Sequence, residues 1–460
     1  MVGIHVFLAR LLITTNIAAQ RTYYAENNRR TVRPASFLAA ATQKSLYLHH
    51  TMLNKCDLMK NVLLKAALTL LVISAIAIDG QAQCYQGEDG SYYNLDGTPC
   101  TNTVVTAVPF LRIVSDARSG AMGDVGIGLS ADPNAMHFNA SKLVFAEEDF
   151  AVSATYTPWL RALGLNDVYL AYLTSYYKLD DLQALGFGLR YFSLGSIQFT
   201  DPNGQPLNTG RPNEFEVALA YSRKLSENFS AAVTGKFIYS NLAAGQIVEG
   251  ETIEPGIAGA ADVSFTYKTD IDLNQGDSEL TLGMAITNIG SKITYTNSLN
   301  RDFIPTNFGI GGAWKVDFDE YNSLTVAADI NKLLVPTPCQ GNDCDQDGDG
   351  RPDYKDQSPI SAIFSSWGDA PEGFSEELQE FVYSVGLEYW YDQQFAVRAG
   401  YFNEHVQKGN RKFMTVGLGL KYNIFGLNFS YLIPTTNQRN PLDNTLRFSL
   451  LFDFGEVAQN

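Results

Sequence analysis

Residues 445–454 read TLRFSLLFDF, and this stretch decides the fold. Leu446, Phe448, Leu450, Phe452 and Phe454 fall on one side of an extended chain, and Thr445, Arg447, Ser449, Leu451 and Asp453 fall on the other. A period of two held this long is a β-strand with one apolar face and one polar or small face. Residues 412–422 repeat the pattern, with Met414, Val416, Leu418, Leu420 and Tyr422 opposite Phe413, Thr415, Gly417, Gly419 and Lys421. Leu324, Val326, Ala328 and Ile330 alternate in the same way with Thr325, Ala327, Asp329 and Asn331.

Working outward, such segments recur near 149–158, 165–178, 183–199, 214–225, 229–241, 258–271, 278–293, 305–318, 322–334, 380–392, 394–405, 411–423, 425–434 and 444–455. The links between them alternate in length. After even-numbered segments they are short (LDDLQ, LSEN, DEYN, YDQQ), and after odd-numbered ones they are longer, up to the segment 335–380. Short periplasmic turns and long outer loops are the asymmetry of an outer-membrane barrel. The expectation is therefore an all-β chain. It forms a transmembrane β-barrel of about 14 antiparallel strands in the cell outer membrane, with the long loops facing the cell surface. A soluble sandwich or propeller would also alternate, but without this strand length, this two-beat loop pattern and an export signal. No repeat of the propeller kind recurs.

Composition agrees. The 460 residues carry 24 Tyr, 27 Phe and a net charge of −16. That charge argues against nucleic acid as a partner, because phosphate binding needs clustered Lys and Arg. No nucleophile-elbow, zinc-protease or phosphate-loop motif is present, and no nucleophile–base pair can be nominated, so a non-enzyme is expected.

Just before the first strand lies RSGAMGDVGIGLSADPNAMHFNASKL, residues 118–143, rich in Gly, Ala, Asn and Asp and lacking either period. An ordinary Gly-rich loop is one reading. The other is a luminal plug over 109–147, because small residues such as Gly120, Gly123, Gly126 and Gly128, with Asn134 and Asn139, let backbone lie close to strands. Earlier still, Met59 opens MKNVLLKAALTLLVISAIAIDGQAQ, with a basic start, an apolar core and a small-residue end. Residues 59–82 thus read as a secretory signal peptide, residues 1–58 as a mis-called extension, and 83–108 as an exported segment ahead of the plug. The barrel occupies 148–460. N-terminal sequencing of the outer-membrane form should find a start near Gln83.

Four cysteines follow the signal, Cys84, Cys100, Cys339 and Cys344. In an exported chain they read as two disulfides, with local pairing of Cys84 with Cys100 and Cys339 with Cys344 expected among three connectivities. The longest loop, 335–380, also contains CDQDGDGRPDYKD. Asp345, Asp347, Asp349, the Arg351 carbonyl, Asp353 and Asp356 stand at calcium-loop spacing, with Gly350 at the sharp turn. A structural calcium ion is expected there, since aspartates this dense repel one another unless neutralised. The prolines at 336, 338 and 359 argue against EF-hand helices on both sides. Trp159 with Tyr156, and Tyr389, Trp390 and Tyr391, suit interfacial girdles.

With plug, strand count and loop pattern in hand, the chain resembles the FadL-like superfamily of outer-membrane transport proteins, and within it the PorV/PorQ family of the Bacteroidetes type IX secretion system. The resemblance runs from about Val108 to the C-terminus. It is carried by VPFLRIVSDARSGAMGDVGIGLSADPNAMHFNASKLVF, by TPWLRAL at 157–163 and by the closing strands. It implies a protein that binds the C-terminal signal domain of exported cargo. Such a protein carries the cargo from the translocon barrel to the surface sortase and attachment-complex proteins. The alternative is a FadL-like channel for hydrophobic small molecules. In that superfamily the plug usually ends in Asn-Pro-Ala, whereas Asn139-Ala140-Ser141 here lacks the proline. A surface adhesin or receptor is the third class.

Overall fold

The computed structural model describes residues 102–455, apart from 161–164, 201–204, 249–250, 273–276, 297–300, 340–343, 346–347, 349–350, 372 and 437–443. Before residue 102 it describes only Cys84–Gln86 paired with Tyr92–Asn94. Expectations that fall on residues 1–83, on the Cys84–Cys100 pairing, and on Asp347, Asp349 and Gly350 lie outside the described residues.

Fourteen antiparallel strands close into a barrel. They are β1 Phe150–Pro158, β2 Val168–Asp180, β3 Gln183–Leu194, β4 Asn213–Lys224, β5 Phe229–Asn241, β6 Gly256–Asp272 and β7 Asp277–Gly290. There follow β8 Asn307–Asp317, β9 Asn322–Leu333, β10 Val382–Tyr391, β11 Phe395–Asn403, β12 Lys412–Tyr422, β13 Phe425–Pro434 and β14 Leu446–Phe454. Each pairs with its neighbours in sequence. β14 then pairs with β1, Phe448 opposite Tyr156 and Phe454 opposite Phe150. Closure leaves no row of unpaired N–H and C=O groups, as a lipid surround requires. Among the described residues no helix is long and apolar enough to cross a membrane; the strands do so.

The period of two becomes an inside and an outside. Met414, Val416, Leu418 and Leu420 of β12 are exposed outward, while Phe413 and Thr415 are buried inward. On β14, Phe448 and Leu450 face out and Arg447 and Ser449 face in. Lipid is the solvent that makes an exposed apolar face stable.

Three expectations are corrected. The third segment ends at Leu194, not near 199, because Gly195 (φ 79°) turns the chain against the Asp167 side chain, and Ile197–Thr200 then pairs with Pro206–Gly210 instead. Trp159 is no girdle residue: it is buried edge-on against Phe192, ring centroids 5.0 Å apart. Trp390 points inward, its ring 5.3 Å from the Arg398 guanidinium. Alternation demands this, since Tyr389 and Tyr391 on either side face out.

Residues 108–146 are mostly buried and hold short helices that no sequence period announces: α1 Ala117–Gly120, α2 Ala135–Phe138 and a 3-10 stretch Ala140–Phe145. Asp116 caps α1, its carboxylate accepting from the Ser119 N–H at 2.7 Å. The backbone of this inner segment is satisfied by inward-facing side chains on strands all round the barrel. The Ala117 N–H donates to Ser449 Oγ of β14, Gly123 N–H to Thr415 Oγ1 of β12, and Gly126 and Ile127 N–H to Asp329 Oδ2 of β9. On the far side, Ser222 of β4 and Ser230 of β5 donate to the Ser141 carbonyl. Buried backbone groups need such partners wherever no ladder supplies them. Gly123 sits at φ 71°, where a Cβ would lie 2.6 Å from the Tyr401 backbone nitrogen. Gly400 of β11 makes room in return.

Candidate functional site

The outer end carries the most elaborate side-chain chemistry. After β9 the chain runs through residues 334–381, including α3 Pro359–Ser365 and α4 Phe374–Gln379. Pro359 starts α3 from its first turn, where no N–H is needed. Ser358 caps it by accepting from the Ser361 N–H at 3.1 Å. The loop is fastened by buried charges. Lys332 Nζ lies 2.5 Å from Glu380 Oε2 and 2.7 Å from Glu377 Oε1. Lys408, from the link between β11 and β12, reaches Glu376 at 2.5 Å and Glu380 at 2.9 Å. The Thr337 hydroxyl donates to Glu380 at 2.6 Å, and the Asn102 amide donates to Glu376 and to the Pro338 carbonyl. Two ammonium groups thus hold three carboxylates, and neutral donors add hydrogen bonds to Glu376 and Glu380, the kind of support under which buried charges are tolerated. Asp369, accepting from the Thr337 N–H, has its pKa raised, chiefly by burial.

Beside this cluster Glu404 accepts from Arg411 twice at 2.7 Å and from Arg112 at 3.5 Å. Burial alone would raise the Glu404 pKa, but Arg411 and Arg112 together hold it below the usual carboxylate range. This ties the inner segment to the outer end through one ion.

Below lies a cavity of about 200 Å³ whose lining includes Arg112, Asp124, His137, Lys236, Glu404 and Arg447. A second, of similar size, opens toward the short turns past Arg118, Lys142, Glu388 and Arg398. There Arg118 grips Glu388 through two N–H donors at 3.0 and 2.7 Å, and Arg398 adds a third at 2.6 Å. Glu388→Gln should lower the stability of the folded barrel by about 3–5 kcal/mol, because it leaves two guanidiniums buried around a neutral amide. A urea titration followed by gel mobility measures it; an unchanged midpoint would show that the triad contributes nothing net.

The sequence-named residues distribute as follows. Gly120, Gly123, Gly126, Gly128, Asn134 and Asn139 all sit in the buried inner segment. A Cβ on Gly120 would meet Arg447, on Gly126 the Phe138 ring, and on Gly128 the Gly312 backbone. Asn134 accepts from Thr174 at 3.3 Å, and the Asn139 amide donates to Thr266 at 2.9 Å. Cys339 and Cys344 form a disulfide, Cα atoms 5.7 Å apart. Asp345 accepts from the Gly348 N–H at 2.8 Å, Arg351 pairs with Asp356 at 3.5 Å, and Asp353 begins a short 3-10 turn. Among the described residues no three acidic, His or Cys side chains converge as metal ligands. Sequence reading missed Lys332, Lys408, Glu376, Glu377 and Glu380. The one available signal was a lysine at the end of the apolar face formed by Leu324, Val326, Ala328 and Ile330, in INKLL at 330–334.

The family model described as "Type IX secretion system protein PorV" matches residues 96–340, more than half of the chain. The chain belongs to the PorV family. It is an outer-membrane barrel of the type IX secretion family. Among solved structures it is similar to the Ralstonia pickettii toluene transporter TbuX at 10% identity and TM-score 0.40, covering 74% of this chain and 98% of that one. The P. putida toluene transporter TodX gives 10% and 0.42, over 74% and 99%. A Pseudomonas aeruginosa FadL homologue gives 12% and 0.36, over 77% and 100%. No curated protein matches the sequence.

Proposed function

We propose that this PorV-family barrel binds the C-terminal signal domain of exported cargo at its outer end. It then carries the cargo from the translocon barrel to the surface sortase and attachment-complex proteins. The observation that carries this reading is the outer loop 334–381. Its second half is folded and pinned by the Lys332–Lys408–carboxylate cluster into a fixed platform, which suits recognition of a protein surface. Residues 109–147 act as a plug, and no chemistry is needed. The alternative is a channel for hydrophobic small molecules, and against it stand the charged groups that share the cavity linings with apolar ones, Arg112, Lys236 and Glu404 in the first and Arg118, Lys142 and Glu388 in the second. Tagged protein purified from detergent-solubilised outer membrane should bring translocon, sortase and cargo. Lys332→Ala with Lys408→Ala, which frees the platform, should lose most of the cargo. A barrel that retains no secretion component but takes up hydrocarbons would reverse the assignment.

The aspartate run between Asp345 and Asp356 is proposed to hold a structural calcium ion beside the Cys339–Cys344 bridge, which shortens the chain that must order on binding. Asp347→Ala with Asp349→Ala should leave heat-modifiable barrel mobility unchanged while making the loop protease-sensitive. Equal protease resistance with calcium and with chelator would reduce these residues to a solvated acidic run.

A further inference from the structure

Helix α4 is built inside out. Its Glu376 and Glu377 are 3% exposed, whereas Phe374 and Leu378 are 76% and 48% exposed. On α3, Ile360 and Phe364 also stand exposed, Phe364 at 75%, and exposed Trp367 follows. A helix in water turns its apolar stripe inward and its carboxylates outward. The same inversion marks the barrel wall, where lipid covers the apolar side.

The position of the loop says what covers it. Trp367 lies edge-on to Phe308, ring centroids 5.3 Å apart, and 6.4 Å from Phe381. Phe308, at the outer end of β8, is in phase with outward-facing Ile310 and Trp314. Its cross-strand partner on β9 is Lys332, in phase with outward-facing Val326 and Ile330. Phe308 and Lys332 therefore belong to the outward side of the rim, while Ala362 of α3 packs with Val104, Phe303 and Val335. Trp367 thus adjoins the lipid-facing band that Ile310, Ile330 and Tyr383 carry at this rim, and the exposed apolar side chains of α3 and α4 belong to the same loop.

We infer that Ile360, Phe364, Trp367, Phe374 and Leu378 form an interfacial seat for the acyl chains of the outer leaflet, so that the platform rests on lipid beside the barrel. Aromatic residues are suited to the boundary between headgroups and chains. The carboxylates of α4 do not oppose this, because Lys332 and Lys408 neutralise them on the side turned away. The seat fixes the platform's height and tilt relative to the membrane, which its charged cluster alone does not.

The test uses the full chain in phosphatidylcholine vesicles. Phe364→Cys, with Cys56, Cys84 and Cys100 replaced by Ser, is labelled with an environment-sensitive fluorophore. Asn208→Cys, in the exposed hairpin Pro206–Gly210, serves as the solvent reference. The label at 364 should lose most of its emission to lipids bearing a nitroxide near the headgroup and little to aqueous iodide; the one at 208 should do the reverse. Trp367 gives a second readout without a label: in Trp314→Phe, brominated acyl chains should quench tryptophan emission, and adding Trp367→Phe should remove that quenching. Iodide access at 364 equal to that at 208 would overturn the seat. Protection from iodide only in native outer membrane, and not in vesicles of pure protein, would assign the surface to a protein partner and overturn it equally.

Discussion

Gly400→Ala should displace the inner segment or prevent barrel assembly, although it adds one methyl group. A Cβ there would stand 2.0 Å from the Gly123 nitrogen and 2.1 Å from the Met122 carbonyl carbon. Both are backbone atoms, so no rotamer change relieves the clash. Gly123 cannot retreat either, since its N–H is bonded to Thr415 and its φ is positive. Overpacking of this kind costs several kcal/mol, on the order of 3 or more. Gly259→Ala on β6 is the control, because nothing lies within 4 Å of its Cβ position. The measurements are heat-modifiable gel mobility and protease access to residues 109–147. A Gly400→Ala barrel with normal mobility and a protected inner segment would show that the contact is not as close as described.

The second large effect is expected at the outer cluster. Lys332→Ala leaves Glu377 and Glu380 buried with only Lys408 and neutral donors near them, and removing one partner from such a group costs about 3–5 kcal/mol. That energy is local to the loop, because β9 pairs with β8 up to Leu333 and with β10 up to Asn331 through backbone bonds that do not involve the Lys332 side chain. Limited proteolysis should therefore cut within 359–381 while the barrel keeps its mobility. Lys332→Met, which keeps the bulk but not the charge, should behave like Lys332→Ala. A loop as resistant as the wild type in both variants would mean that packing by Phe381 and Trp367, not charge, holds it.

Much of the fold was legible because lipid imposes a simple rule on strands. Residues 229–241 and 425–434 could be bounded to the residue, since polar turns interrupt the alternation on both sides. The inner segment was legible only as composition. Its helices span four to six residues, too few for a period to show, and are held by Asp329, Thr415 and Ser449, which lie hundreds of positions away. The outer cluster was hidden for a related reason. EELQE at 376–380 looks like a solvated acidic run until Lys332 and Lys408 are brought to it, and only the folded barrel does that. Trp390 was misplaced by grouping it with its neighbours instead of following the alternation that the same strand obeys.

The pairing of β14 with β1 also decides which routes to the interior stay open. The inner segment precedes β1 in the chain yet is bonded to Ser449 on the last strand. Once the final seam has zipped, residues 108–146 have no lateral route in or out, and their buried charges cannot cross the wall. The routes that remain are the two ends of the barrel, unless the segment is already in place when the last strand arrives. The C-terminal strand is the clasp that traps it, and a chain lacking that strand loses the means to retain its own interior.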